Sequence, residues 1–161
     1  MSESQPWIAE LVEAWRTNHR INLYLIDHIS DEGMKCTLSK RGGRNVVRQF
    51  CHLHNVRVWY LEARAKDLSK GLYKFATEEE PDKERLKENL VASAQRIEEF
   101  LEQAAAGAAR RRPFKKGVAS TFAYFVAHDS HHRGNILLTL KQCGHKIDPK
   151  AGWAIWEWDK M

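Results

Sequence analysis

The sequence predicts an all-α protein, an antiparallel four-helix bundle. Four long segments repeat apolar residues every three or four positions, strand signals are weak, and connections of about ten residues join the segments. The one alternating run, residues 56–59, lies inside a longer helical pattern. The chain has 161 residues, which suits a single domain over residues 1–161 with a substantial core.

The first two helices are predicted from their apolar stripes. The first runs from about Trp7 to Ile29 and ends at the polar, glycine-bearing residues 31–33. The second begins near Arg44 and continues to about Asp67, with no proline or glycine in its interior.

The other two helices have clearer start and stop signals. The third starts after Glu80-Pro81-Asp82, because proline and acidic residues suit a first helical turn, and it ends at Gly107. The fourth opens near Ser120 or Thr121, both N-cap candidates, and stops at Gly144. The tryptophan-rich residues 153–158 are expected to pack back on the bundle or to build a homodimer interface.

Composition narrows the class of protein. No stretch approaches the roughly 20 apolar residues of a membrane span, and the N-terminus lacks the features of a secretory signal. The three cysteines are too few and too scattered for a disulfide framework, which predicts a cytoplasmic location. The net charge is +5, but its two basic clusters, residues 40–44 and 110–116, fall in predicted loops without a nucleic-acid-binding motif. Nucleic acid is therefore the weaker hypothesis for a partner.

A histidine pair in the fourth helix predicts a divalent metal site. His128 and His132 are four residues apart, so both rings project from one face of the helix. They share that face with Phe125, Ile136 and Leu140, which directs them into the protein. Two inward imidazoles need polar partners, and one metal ion would serve both. The alternative is a pair of core histidines bonded to backbone or carboxylate groups.

A third ligand has to come from another helix. His52 and His54 of the second helix are the candidates; residues two apart point about 200° from each other, so only one can face the site. Periodicity alone does not choose between them. Asp129 stands where HExxH peptidases carry a glutamate, so a peptidase mechanism has no support. His131 is predicted to support a ligand rather than to act as one.

Two histidine-containing segments resemble the DinB family, the DinB/YfiT-like metalloenzymes. Residues 128–135, His-Asp-Ser-His-His-Arg-Gly-Asn, resemble the motif on that family's last helix, with asparagine where glutamine is usual. Residues 50–57, followed by Trp59-Tyr60-Leu61, resemble the motif on its second helix. Further matching landmarks are Trp15, Asn18, Asn22 and the closing Ile155-Trp156-Glu157-Trp158.

The resemblance implies an up-down-down-up bundle with a metal ion held by three histidines. Carried over, the ligands are His52, His128 and His132, because the family motif places its histidine eight residues before the aromatic at Tyr60; His54 is the fallback. Zinc or nickel is the expected ion. Asp129 or His131 is expected to orient the ligands.

Three neutral histidines would leave a coordination position open, which suits catalysis more than a structural role. Some members of the wider superfamily are thiol S-transferases. The leading hypothesis is a metal-dependent transferase, acting on a small-molecule substrate with a low-molecular-weight thiol, or a hydrolase. The alternative is a non-catalytic, stress-related module that binds a metal or a small ligand.

Overall fold

The computed structural model describes residues 6–161, and within that range the chain is all-helical. Four helices are long and the others are one or two turns. No strand occurs within residues 6–161. The helices are α1 (Pro6–His28), α2 (Asp31–Met34), α3 (Val46–Arg64), α4 (Lys66–Ser69), α5 (Lys83–Ala105), α6 (Val118–Gln142) and α7 (Pro149–Ala154), followed by a 3-10 turn (Trp158–Lys160).

Side-chain caps mark the start of two of the four long helices, α3 and α5. The Asn45 side chain accepts a hydrogen bond from the backbone N–H of Arg48 and caps α3, and Asp82 caps α5 in the same way. The prediction that Ser120 or Thr121 caps the fourth helix is wrong. Helix α6 begins after Gly117, which has a φ of 100° and provides no side-chain cap. Thr121 lies inside the helix.

Helices α1 and α3 each pack against both α5 and α6. This packing buries two separate apolar clusters, and all four long helices contribute to each. The first cluster includes Leu25, Phe50, Leu86, Leu90 and Ile136. The second includes Trp15, Leu61, Ile97, Phe100 and Phe125.

A layer of buried polar side chains separates the two apolar clusters. Each long helix passes from one cluster to the other across this layer, which includes Asn18, Asn22, His54, Arg57, Ser93, Asp129 and Arg133. Buried polar groups are tolerated where they bond to one another. His52, His128 and His132 lie on α3 and α6, each within two residues of a member of this layer. The polar layer therefore lies next to the three histidines.

The C-terminal segment packs on the helices, but its tryptophans do not make the contact. Ile147, Ala151 and Ile155 join the first apolar cluster. Trp153 and Trp156 are 74% and 73% exposed. The tryptophans therefore face outward, and the homodimer that they suggest stays a prediction. No helix in the described part of the chain is both long and apolar enough to cross a membrane.

Candidate metal centre

Three histidines from two helices meet at one place. His52 comes from α3, and His128 and His132 come from α6. One ligand atom from each ring lies within 4.8 Å of the other two, close enough for the three to hold one metal ion. The ring centroids are 4.7 to 5.2 Å apart. The structure thus brings together the three residues that the sequence singled out.

The environment keeps these imidazoles neutral. Burial lowers the pKa of His52 to about 4, and the charges of Arg44 and His128 act in the same direction. Burial, with the charges of His128 and His52, lowers the pKa of His132 to about 4 as well. Burial also lowers the pKa of His128, although Asp129 opposes it. Neutral imidazole is the form that binds a metal ion, so all three rings are ready to act as ligands near pH 7.

His54, the fallback ligand, lies outside the cluster. Its side chain is fully buried, and its Nε2 donates to the backbone carbonyl oxygen of Tyr73 over 2.6 Å. Its Nδ1 lies 3.0 Å from the hydroxyl oxygen of Ser93. Both ring nitrogens are therefore occupied by protein partners, and His54 is a core histidine.

Gln49 is a contact that the sequence analysis missed. Its Oε1 lies 3.4 Å from Nδ1 of His132 and accepts a hydrogen bond from that nitrogen. A partner on one ring nitrogen selects the tautomer and leaves the other nitrogen to face a metal ion. The sequence spacing could have indicated Gln49 as a neighbour of the site. Gln49 precedes His52 by three residues, and the two side chains therefore share a helix face.

Asp129 or His131 was expected to orient the ligands. Asp129 makes no hydrogen bond to any of the three rings among residues 6–161; its Oδ2 accepts instead from Asn18, Asn22 and Arg57. His131 is exposed and contacts His132 edge to face, with ring centroids 5.2 Å apart. Of the two, only His131 touches a ring of the cluster.

The buried charges beneath the cluster were also missed. Arg133 donates to the side-chain oxygens of Asn22 and Asn18 over 3.0 and 2.9 Å, while the amide nitrogens of the same asparagines donate to Asp129. The two asparagines thus join Arg133 to the ion pair between Asp129 and Arg57. Gly134, on the same helix as Arg133, has no described atom of a neighbouring element within 4 Å of where a Cβ would stand, so no other helix approaches it closely.

A cavity of about 380 Å³ adjoins the cluster. Its walls come from the segment before α3 and from α3 and α6, and they include Arg44, Gln49, His131 and His132. A larger cavity of about 590 Å³ lies elsewhere, between Met34 and the start of α5, and none of the three histidines lines it. The smaller cavity therefore reaches the candidate site at His132.

The fold and the site together define the class of protein: it is all-α, and three histidines from two of its helices form a cluster. A family model described as the DinB family matches residues 1–152, so the chain belongs to the DinB family. This confirms the family that the two histidine motifs indicated. A search of curated proteins and a search of solved structures found no significant match.

Proposed function

We propose that this DinB-family protein binds one divalent metal ion through His52, His128 and His132 and uses it in catalysis. The single observation that supports the proposal most is the approach of their three ligand atoms to within 4.8 Å of one another. The reaction class that we propose is a transfer involving a low-molecular-weight thiol, or a hydrolysis.

The donor set suits zinc or nickel. Imidazole nitrogen binds both ions well, whereas magnesium and calcium prefer oxygen ligands. Within residues 6–161, no cysteine or carboxylate joins the three histidines in a larger cluster. We propose zinc or nickel on this chemistry.

The chain's own residues would hold the ion and admit a substrate. Gln49 orients the ring of His132, and the adjoining cavity gives a small molecule a route to that ring. When bound, the ion would supply Lewis acidity, which lowers the pKa of a water molecule or a thiol.

The second candidate is a non-catalytic module that binds a metal or a small ligand. Such a module would have a closed site, with a fourth protein ligand or a blocked entrance. The cavity beside His132 and the three-residue cluster favour the enzyme over this alternative.

We also propose that the four long helices form an up-down-down-up bundle within one domain over residues 1–161. Ion pairs between Arg16 and Glu98 and between Asp27 and Lys87 support an antiparallel α1 and α5, because residue numbers rise in one helix as they fall in the other. The ring contact between Trp15 and Phe125 places the early parts of α1 and α6 together, which supports a parallel pair.

The contacts between α3 and α6 support the same topology. His52 contacts His132, and the hydroxyl of Tyr60, farther along α3, donates to Thr121, near the start of α6. These helices therefore run in opposite directions, with α3 parallel to α5.

The experiment begins with elemental analysis of protein purified without a metal-affinity tag. Zinc-loaded, nickel-loaded and chelator-stripped protein is then screened with cysteine and glutathione against haloaromatic and epoxide electrophiles, and with chromogenic esters. We expect metal-dependent turnover that His128→Ala abolishes and that His145→Ala, at an exposed position outside the cavity, retains. Stoichiometric metal without turnover would favour the binding module, and absence of metal would overturn the proposal.

A further inference from the structure

The segment before α3 holds its backbone in a defined turn. Gly42 has a φ of 68°, and a Cβ on Gly43 would lie only 2.3 Å from the Cβ of Ser39, so both positions require glycine. The backbone N–H of Gly43 donates to the hydroxyl of Ser39 over 2.9 Å, and the Arg48 guanidinium donates to the Gly43 carbonyl oxygen over 2.9 Å. These contacts fix the backbone position of the next residue, Arg44.

Arg44 lines the same cavity as His132, one of the three clustered histidines. Within residues 6–161 the side chain of Arg44 makes no hydrogen bond or ion pair. By contrast, Arg48 in the same region pairs with Glu78.

The rest of the cavity wall has no countercharge for Arg44. No aspartate or glutamate lines it; the polar groups are hydroxyls, amides and imidazoles. Leu38 and Leu138 also line the cavity and are 50% and 51% exposed, so they offer apolar surface to a bound molecule. The cavity therefore combines one unpaired cation, hydrogen-bonding groups and apolar walls beside the candidate metal ligand His132.

We propose that Arg44 is a specificity-determining residue that binds a carboxylate of the substrate, a small molecule whose apolar part rests on Leu38 and Leu138. The inference rests on the proposed function of this same site. A guanidinium matches a carboxylate with two parallel hydrogen bonds, and these charge-assisted bonds are about twice as strong as neutral ones. A single arginine suits a singly charged carboxylate better than a phosphate, which usually draws several cationic donors. The carboxylate at Arg44 would leave the reacting end of the molecule near the histidines.

The test compares 3-mercaptopropionate with its methyl ester, which has the same thiol but no charge. Each is titrated calorimetrically into zinc-loaded wild type, Arg44→Gln and a matched control, Lys40→Gln, which removes a charge from the same segment outside the cavity wall. We expect the wild type to bind the acid about tenfold more tightly than the ester, in line with one charge-assisted contact partly open to water. Arg44→Gln should remove that preference, and Lys40→Gln should keep it.

Zinc content, measured first for every variant, separates the two proposals. If all bind one equivalent of zinc but the wild type does not prefer the acid, or Arg44→Gln keeps the preference, the role of Arg44 is overturned and the metal site stands. The same titrations into metal-free protein test the case in which the protein binds no zinc. Suppose that no variant binds zinc, but the metal-free wild type still prefers the acid and Arg44→Gln loses that preference. The carboxylate subsite would then be supported, and the metal-dependent function would be overturned.

Discussion

Arg57 and Asp129 form an ion pair at the centre of the molecule. Nη2 of Arg57 donates to Oδ2 of Asp129 over 2.8 Å, and the two side chains are 0% and 1% exposed. Burial raises the pKa of the Asp129 carboxyl, but the charges of Arg57 and Arg133 and a hydrogen bond from Asn22 lower it more, so the pKa lies below its ordinary value. The carboxylate is thus the anionic centre of the polar layer beneath the histidines.

Asp129→Asn should destabilise the protein strongly. The substitution leaves the buried guanidinium of Arg57 without an anionic partner, and breaking a buried pair in this way costs about 3–5 kcal/mol. Urea unfolding of metal-free protein at pH 7 measures the loss. Asp159→Asn, at an exposed position, is the control and should change little. A loss below about 1 kcal/mol for Asp129→Asn would show that the pair does not stabilise the layer.

His19 should make the stability depend on pH. Burial lowers its pKa from 6.5 to about 3, with the charge of Arg57 acting in the same direction, and its Nε2 is buried without a hydrogen-bond partner in the described chain. Below pH 6.5 the unfolded chain therefore binds a proton that the folded ring does not bind. The stability is full above that pH and falls as the pH drops towards 3.

His19→Gln should flatten this dependence, because glutamine does not titrate. One proton corresponds to a slope of about 1.4 kcal/mol per pH unit, which is the most that this substitution can remove. Urea unfolding of metal-free wild type and variant at pH 7, 6 and 5 gives the two slopes. Identical slopes would mean that His19 is protonated in the folded protein.

His52 and His54 should respond to alanine substitution in opposite ways. His52→Ala should lose the metal ion while the metal-free protein keeps most of its stability, because His52 is only half-buried. His54→Ala should keep one equivalent of metal but lose about 1–3 kcal/mol, since the buried partners of its ring are left unpaired. Metal analysis and urea unfolding of both variants check this, and a metal loss in His54→Ala alone would reverse the assignment.

Ile155 and Trp153 provide a matched pair in the C-terminal segment. Ile155→Ala should cost about 2–4 kcal/mol, because its side chain is 7% exposed and packs in the first apolar cluster. Trp153→Ala should cost less than about 0.5 kcal/mol, as surface substitutions usually do, since Trp153 is 74% exposed. The midpoints of urea unfolding compare the two. A larger effect at Trp153 would indicate that the tryptophan is covered, as in a dimer.

The long helices were predictable because amphipathic periodicity extends over many turns. The first helix was predicted from Trp7 to Ile29 and is found at Pro6–His28. The helices α2, α4 and α7 were not predicted, since a segment of four to six residues is too short to show a period. The C-terminal segment was expected to pack back on the bundle or to build an interface; Ile147 and Ile155 anchor it, while Trp153 and Trp156 stay exposed.

The candidate site was predictable only where it depends on spacing within one helix. His128 and His132 follow from a four-residue spacing. Choosing between His52 and His54 from the residues alone was not possible, because the partners that occupy His54, Ser93 and Tyr73, are 39 and 19 residues away in the chain. The pairing of Arg57 with Asp129 spans 72 residues and depends on the packing of separate helices.

The metal site is tested most directly by the zinc stoichiometry of the His128→Ala/His132→Ala double variant. It is measured by equilibrium dialysis and elemental analysis beside wild type and His131→Ala. Circular dichroism confirms that each variant is folded. A three-histidine site predicts one zinc ion per chain for wild type and for His131→Ala, and none for the double variant. A folded double variant that still binds one zinc ion would contradict the three-histidine site.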